Sequence, residues 1–94
     1  MLQPVYTEQF TLDLEKKLSG ELRKKAEKIC ERLMEYPIGA AHSHRLKHRL
    51  SGFRAADLAT RRRGHLRIIF GLHGEHPDVE PGTIVFFFIS RHYE

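Results

Sequence analysis

Residues 41–73 hold His42, His44, His48, His65 and His73 together with Arg45, Lys47, Arg49, Arg54, Arg61, Arg62, Arg63 and Arg67, opposed only by Asp57. Histidine moves protons near neutral pH because its ordinary pKa, about 6.5, lies close to working conditions. Arginine holds phosphate through a planar fork of donors that never loses its charge. The two residue types side by side suit acid–base chemistry on a phosphodiester. RNA can be cut without a metal if a base takes the proton of its 2′-OH. A cation must then stabilise the phosphate, and an acid must protonate the departing 5′-oxygen. A solvated basic surface with no such task would have the same composition.

The rest of the chain sharpens this contrast. Residues 1–40 carry seven Lys/Arg and seven Asp/Glu, and residues 74–94 hold Arg91 against Glu75, Asp78, Glu80 and Glu94. The net charge of +4 is therefore concentrated in the middle third, where a polyanion such as nucleic acid is the simplest partner.

A metal centre is disfavoured. His44 and His48 have the i, i+4 spacing of helical zinc ligands, but Gly52 and the strand pattern after it argue against a helix there. No thiolate or carboxylate in the segment would complete a closed site, so neither a metal nor another cofactor is expected. Cys30, the only cysteine, excludes an internal disulfide. It falls beside Ile29 and Leu33 on an apolar helix face and reads as a small buried hydrophobe. Met1 to Tyr6 has neither the basic head nor the apolar run of a signal peptide, and Ile84 to Ile89 is too short to cross a bilayer. A cytoplasmic protein without membrane contact is the expectation.

The elements that position the basic block can be read from periodicity. At 94 residues the chain is expected to form one domain, 1–94. Leu2 to Tyr6 suits a short strand. Thr7 suits the cap of a first helix carrying Phe10, Leu14 and Leu18 on one face. Ser19 suits the cap of a second helix over 20–36, with Leu22, Ala26, Ile29, Leu33 and Tyr36 as its apolar stripe and a stop before Pro37. Residues 38–48 read as polar and irregular. Gly52 to Leu58 reads as a strand with Phe53, Ala55 and Asp57 on one face and Arg54, Ala56 and Leu58 on the other. Residues 61–64 read as a turn, His65 to Leu72 as an alternating strand and Gly74 to Gly82 as a loop. Thr83 to Ile89 reads as a strand covered on both faces. The order β-α-α-β-β-β implies an αα-hairpin on one face of a small, mostly antiparallel twisted sheet, an α+β fold.

Two stretches then resemble a known family. The run His44-Arg45-Leu46-Lys47-His48-Arg49-Leu50-Ser51-Gly52-Phe53-Arg54 is similar to a segment of the RelE/ParE superfamily toxins, above all the YoeB and YafQ branches. That segment has His or Glu two residues before Leu-Lys, then Leu-x-Gly and an aromatic residue. His65-Leu66-Arg67-Ile68-Ile69-Phe70 resembles a strand of the same toxins in which Arg precedes two aliphatic residues and an aromatic one. The helix pair before these motifs and the apolar strand ending in His92-Tyr93 agree with the family, so the resemblance spans the chain. Leu66 stands where many relatives have tyrosine, and Arg61 to Arg63 and the acidic loop 74–82 are additions to the pattern.

The resemblance implies a RelE-like fold and the toxin of a toxin–antitoxin pair. For the nuclease branches it implies metal-independent cleavage of messenger RNA in the ribosomal A site. It places His44 as general base and Arg67 on the phosphate, with His92 or Tyr93 as leaving-group acid or base-stacking residue; Arg54 is a further candidate for the phosphate, at a position where relatives vary. Lys47, His48, Arg49, Arg61, Arg62, Arg63 and His65 are expected to hold RNA without taking part in chemistry. The implied partners are a cognate antitoxin protein and messenger RNA, with operator DNA bound only through the antitoxin complex. The same residues fit two other readings: a ParE-like DNA gyrase inhibitor, and a non-catalytic nucleic-acid-binding relative.

Overall fold

The computed structural model describes residues 1–61 and 64–92, with the side chains of 60, 61 and 92 excepted. Strand β1 (Gln3–Tyr6) leads into helices α1 (Glu8–Lys17) and α2 (Gly20–Glu35). Four more strands follow: β2 (His44–Arg45), β3 (Arg54–Arg61), β4 (Gly64–Leu72) and β5 (Thr83–His92). Short 3-10 turns at Ala40–His42 and His48–Leu50 flank β2. The sheet order is β1-β5-β4-β3-β2, with β1 parallel to β5 and the other pairs antiparallel.

Both helices begin where the sequence places their caps. The Thr7 hydroxyl accepts from the Phe10 N–H at 3.1 Å, and the Ser19 hydroxyl accepts from the Leu22 N–H at 3.3 Å. Ala26, Ile29, Cys30 and Leu33 of α2 and Phe10 of α1 are buried. They meet Ala56, Leu58, Leu66, Ile68, Phe70, Ile84, Phe86 and Ile89 from one face of the sheet. Tyr36 departs from the expected stripe: it caps the end of α2 and is 67% exposed. Among the described residues no helix is long and apolar enough to cross a membrane.

Helix α1 also completes the sheet. Strand β1 ends at Tyr6, which would leave the outer edge of β5 open beyond Phe86. Side chains close that edge instead. The Thr7 hydroxyl donates to the Phe87 carbonyl at 2.6 Å, the Ile89 N–H donates to Asp13 at 2.8 Å, and the Lys17 ammonium donates to the Ile89 carbonyl at 2.9 Å. Asp13 is buried, and these bonds satisfy β5 backbone groups that β1 does not reach.

The opposite face carries a second, smaller cluster. Phe53 packs edge-on against His76, Phe87 and Phe88, and Ala55 and Ile69 of this face are buried. Gly71 makes room for it, since a Cβ there would lie 2.8 Å from the Phe87 ring. A register shift between Ile69 and Phe70 pairs Ile69 with Phe88 but Phe70 with Phe86, leaving Phe87 as the extra residue.

Candidate functional site

The strand register builds two cross-strand rows on the face away from the helices. His44 pairs with Ala55, Ala55 with Ile69 and Ile69 with Phe88. The next row along the strands runs Asp57, Arg67, Ser90. His44 and Arg67 therefore share a face, two strands and two residues apart, on the order of 12 Å between Cα atoms from standard strand spacings. A long guanidinium and an imidazole projecting from such positions can reach the same phosphodiester.

His44 owes its orientation to the turn before it. Ala41 and His42 both take positive φ, 51° and 53°, a conformation uncommon outside glycine. The chain then doubles back so that the His42 carbonyl lies 3.0 Å from His44 Nδ1. A carbonyl only accepts, so Nδ1 carries the proton in the neutral ring and Nε2 keeps its lone pair. The side chain is exposed. A histidine held in this tautomer is prepared to take a proton through Nε2. The i, i+4 helical spacing of His44 and His48 is not realised, because a strand and a 3-10 turn hold them.

Arg67 is half-buried on β4, and its Nε is fully buried with no hydrogen-bond partner among the described residues. Asp57 stands opposite it in register, but the two form no salt bridge. A buried charged donor left unmatched is costly and is prepared for an anion.

Arg54 is placed differently. It pairs in register with Phe70 and alternates with Ala56 and Leu58, on the other side of the strand from Ala55 and Asp57. It is only 6% exposed and meets Glu75, with Nε 3.6 Å from one carboxylate oxygen. The other oxygen lies 3.2 Å from Arg45 Nε. The structure thus brings His44 and Arg67 to one face and holds Arg54 apart from them.

Lys47, His48 and Arg49 are exposed, with His48 at φ 59°. His65, half-buried, pairs in register with His92 at the end of β5. The side chains of Arg61 and His92, and Arg62, Arg63 and Tyr93 altogether, lie outside the described residues. Sequence reasoning gave no role to Asp57, Ser90 or Glu75. Only the acidity of loop 74–82 hinted at Glu75. A pocket of about 310 Å³ opens beside β2, lined by Arg45, Leu46, Lys47, Ser51, Gly52, Phe53 and Glu75.

The solved structures that superpose on this chain include toxins. A YoeB/ParE toxin from Agrobacterium tumefaciens superposes with a TM-score of 0.74 at 15% identity, covering 98% of this chain and 100% of that one. This chain has the RelE/YoeB toxin fold. The RelBE2 toxin–antitoxin complex from Mycobacterium tuberculosis matches with a TM-score of 0.69 at 21% identity, over 97% and 98% of the two chains. YafQ from E. coli matches with 0.68 at 15% identity, over 98% and 94%. At these identities the likeness is one of fold. No protein-family model and no curated protein matches the sequence. The shared α+β fold, two helices on a five-stranded, mostly antiparallel sheet, agrees with the expected architecture, and strand β2 is an addition within the stretch read as irregular.

Proposed function

We propose that this chain, acting as one domain over residues 1–94, is the toxin of a toxin–antitoxin pair and cuts messenger RNA without a metal ion. The observation that carries this reading is the pairing, on one sheet face, of an imidazole with a free Nε2 and a guanidinium with an unmatched buried donor. His44 takes the proton of the substrate 2′-OH, the oxygen attacks the adjacent phosphorus, and Arg67 offsets the charge that grows on the phosphate. His92, the last residue of β5, or Tyr93 supplies the proton for the departing 5′-oxygen. Lys47, His48 and Arg49, with Arg61, Arg62, Arg63 and His65, hold the RNA backbone on either side. The ribosomal A site is the expected place of cleavage.

A toxin of this kind needs an antidote, and the solved relatives with this fold include a toxin–antitoxin complex. An acidic antitoxin segment covering the basic face supplies it, and operator DNA is bound only through that complex. A gyrase inhibitor would have no use for an oriented imidazole, which favours the nuclease. Inducing the chain in cells and mapping messenger RNA ends tests the reading. Growth arrest with new internal ends that vanish in His44→Ala supports it. Arrest with intact messages points to gyrase, and no arrest with RNA merely bound points to a non-catalytic relative.

A further inference from the structure

The turn after β4 holds a carboxylate on the basic side of the molecule. The Glu75 and His76 N–H groups both donate to the Leu72 carbonyl, at 3.1 and 3.0 Å. His76 is buried between the Phe53 and Phe87 rings, and its Nδ1 accepts from the Asp78 N–H at 3.1 Å. Gly52, at φ +94°, lets this turn approach closely, because a Cβ there would lie 3.2 Å from the Glu75 carbonyl. The backbone of Glu75 is therefore anchored, and its side chain is set beside Arg45 and Arg54.

The fit between these three groups is incomplete. Glu75 neutralises Arg54 from 3.6 Å, yet Arg54 Nε and Nη1 and the facing Glu75 oxygen are all buried without a hydrogen bond among the described residues. A planar carboxylate reaching from this turn balances the charge and leaves the donors unmet. A tetrahedral phosphate offers acceptor oxygens in several directions and can serve Arg54 and Arg45 together. Arg45, Lys47, Ser51 and Glu75 line a pocket of about 310 Å³, room for a phosphate group, and Arg54 adjoins it through Glu75.

We propose that this pocket is a second anion subsite and that Glu75 occupies it in the free chain as a stand-in for phosphate. Its ligand is a phosphodiester phosphate flanking the scissile one, an identity that rests on the nuclease reading above. Binding swings the Glu75 carboxylate out of the pocket, so that an isolated anion binds weakly and a polyanion with further contacts binds well.

Titration with inorganic phosphate, followed through the arginine Nε–Hε resonances, tests this. Glu75→Gln is expected to bind phosphate about tenfold or more tightly than the unsubstituted chain, the worth of roughly one charge-assisted hydrogen bond. The Arg54 resonance should move on saturation. Glu80→Gln removes the same charge from an exposed position in the same turn and should change little. Unchanged or weaker binding in Glu75→Gln, an equal gain in Glu80→Gln, or a response confined to Arg67 overturns the proposal. If Glu75→Gln does not fold, Glu75→Asp decides: its shortened carboxylate withdraws from Arg54, and binding no tighter than in the unsubstituted chain overturns it. No RNA is cut in this assay. A chain that binds phosphate as described but cleaves nothing refutes only the nuclease, and a nuclease whose Arg54 ignores phosphate refutes only the subsite.

Discussion

The carbonyl oxygen of His42 lies 3.0 Å from Nδ1 of His44, so the turn before β2 decides which imidazole nitrogen keeps the proton. Removing the ring should cost chemistry and not stability, because the side chain is exposed and packs into neither core. His44→Ala is expected to slow single-turnover cleavage by about 10²–10⁴, the usual worth of a general base. The melting temperature should stay within a degree or two of the parent, as is usual for an exposed position. A rate equal to the parent's would remove His44 from the mechanism.

Arg67 should behave in the opposite sense for stability. Its buried, unpartnered Nε is a cost that the folded chain bears without return until an anion arrives. Arg67→Met is therefore expected to raise stability by about 1 kcal/mol while slowing the chemical step by about 10²–10³. Denaturant unfolding and single-turnover kinetics on the same preparation read both effects. A destabilised Met variant would mean that the guanidinium is already satisfied in the free chain.

Cys30 supplies a pH dependence. It is 2% exposed, and burial, with Glu27 and Glu31 nearby, pushes its thiol up to about 12 from an ordinary 9.0. A group that ionises less readily when folded contributes fully below its unfolded pKa. Its contribution is lost as pH rises through the folded value. Stability should accordingly fall from pH 9 towards pH 12, and Cys30→Ala should flatten that part of the curve. At pH 8 a thiol reagent should modify the native chain only as fast as it opens.

The parts of the fold that can be read from sequence are those with local periodicity. Phe10 on α1 and Leu18 at its C-terminal cap, Ala26, Ile29 and Leu33 on α2, and Leu66, Ile68 and Phe70 on β4 follow helix or strand spacing and lie in the core. Leu33 is fully buried, so Leu33→Ala should cost about 2–5 kcal/mol in denaturant unfolding. Strand β2 is different: two exposed residues on an edge have no apolar alternation to betray them. The parallel pairing of β1 with β5 joins residues some eighty positions apart, which no local pattern encodes. Of the site, the residue types could be read and their grouping could not. Alternation separates Arg54 from Arg67 only once the register across β3 and β4 is known. Glu75 meets Arg45 and Arg54 through a turn whose position depends on the Phe53–His76–Phe87 cluster.

The product ends test the mechanism most directly. If His44 removes the 2′-OH proton and Arg67 steadies the phosphate, the 2′-oxygen bonds to phosphorus as the 5′-oxygen leaves. The upstream fragment must then carry a 2′,3′-cyclic phosphate and the downstream fragment a 5′-OH. A chelator should leave cleavage untouched wherever an intact ribosome is not required, because this route calls on side chains alone. Lys47, exposed beside β2, would touch the backbone equally before and during reaction. Lys47→Ala should therefore raise KM and leave kcat within about twofold, whereas Arg67→Met lowers kcat. Fragment ends read by mass spectrometry decide the chemistry: a 5′-phosphate on the downstream piece would mean that water, and not the 2′-OH, is the nucleophile.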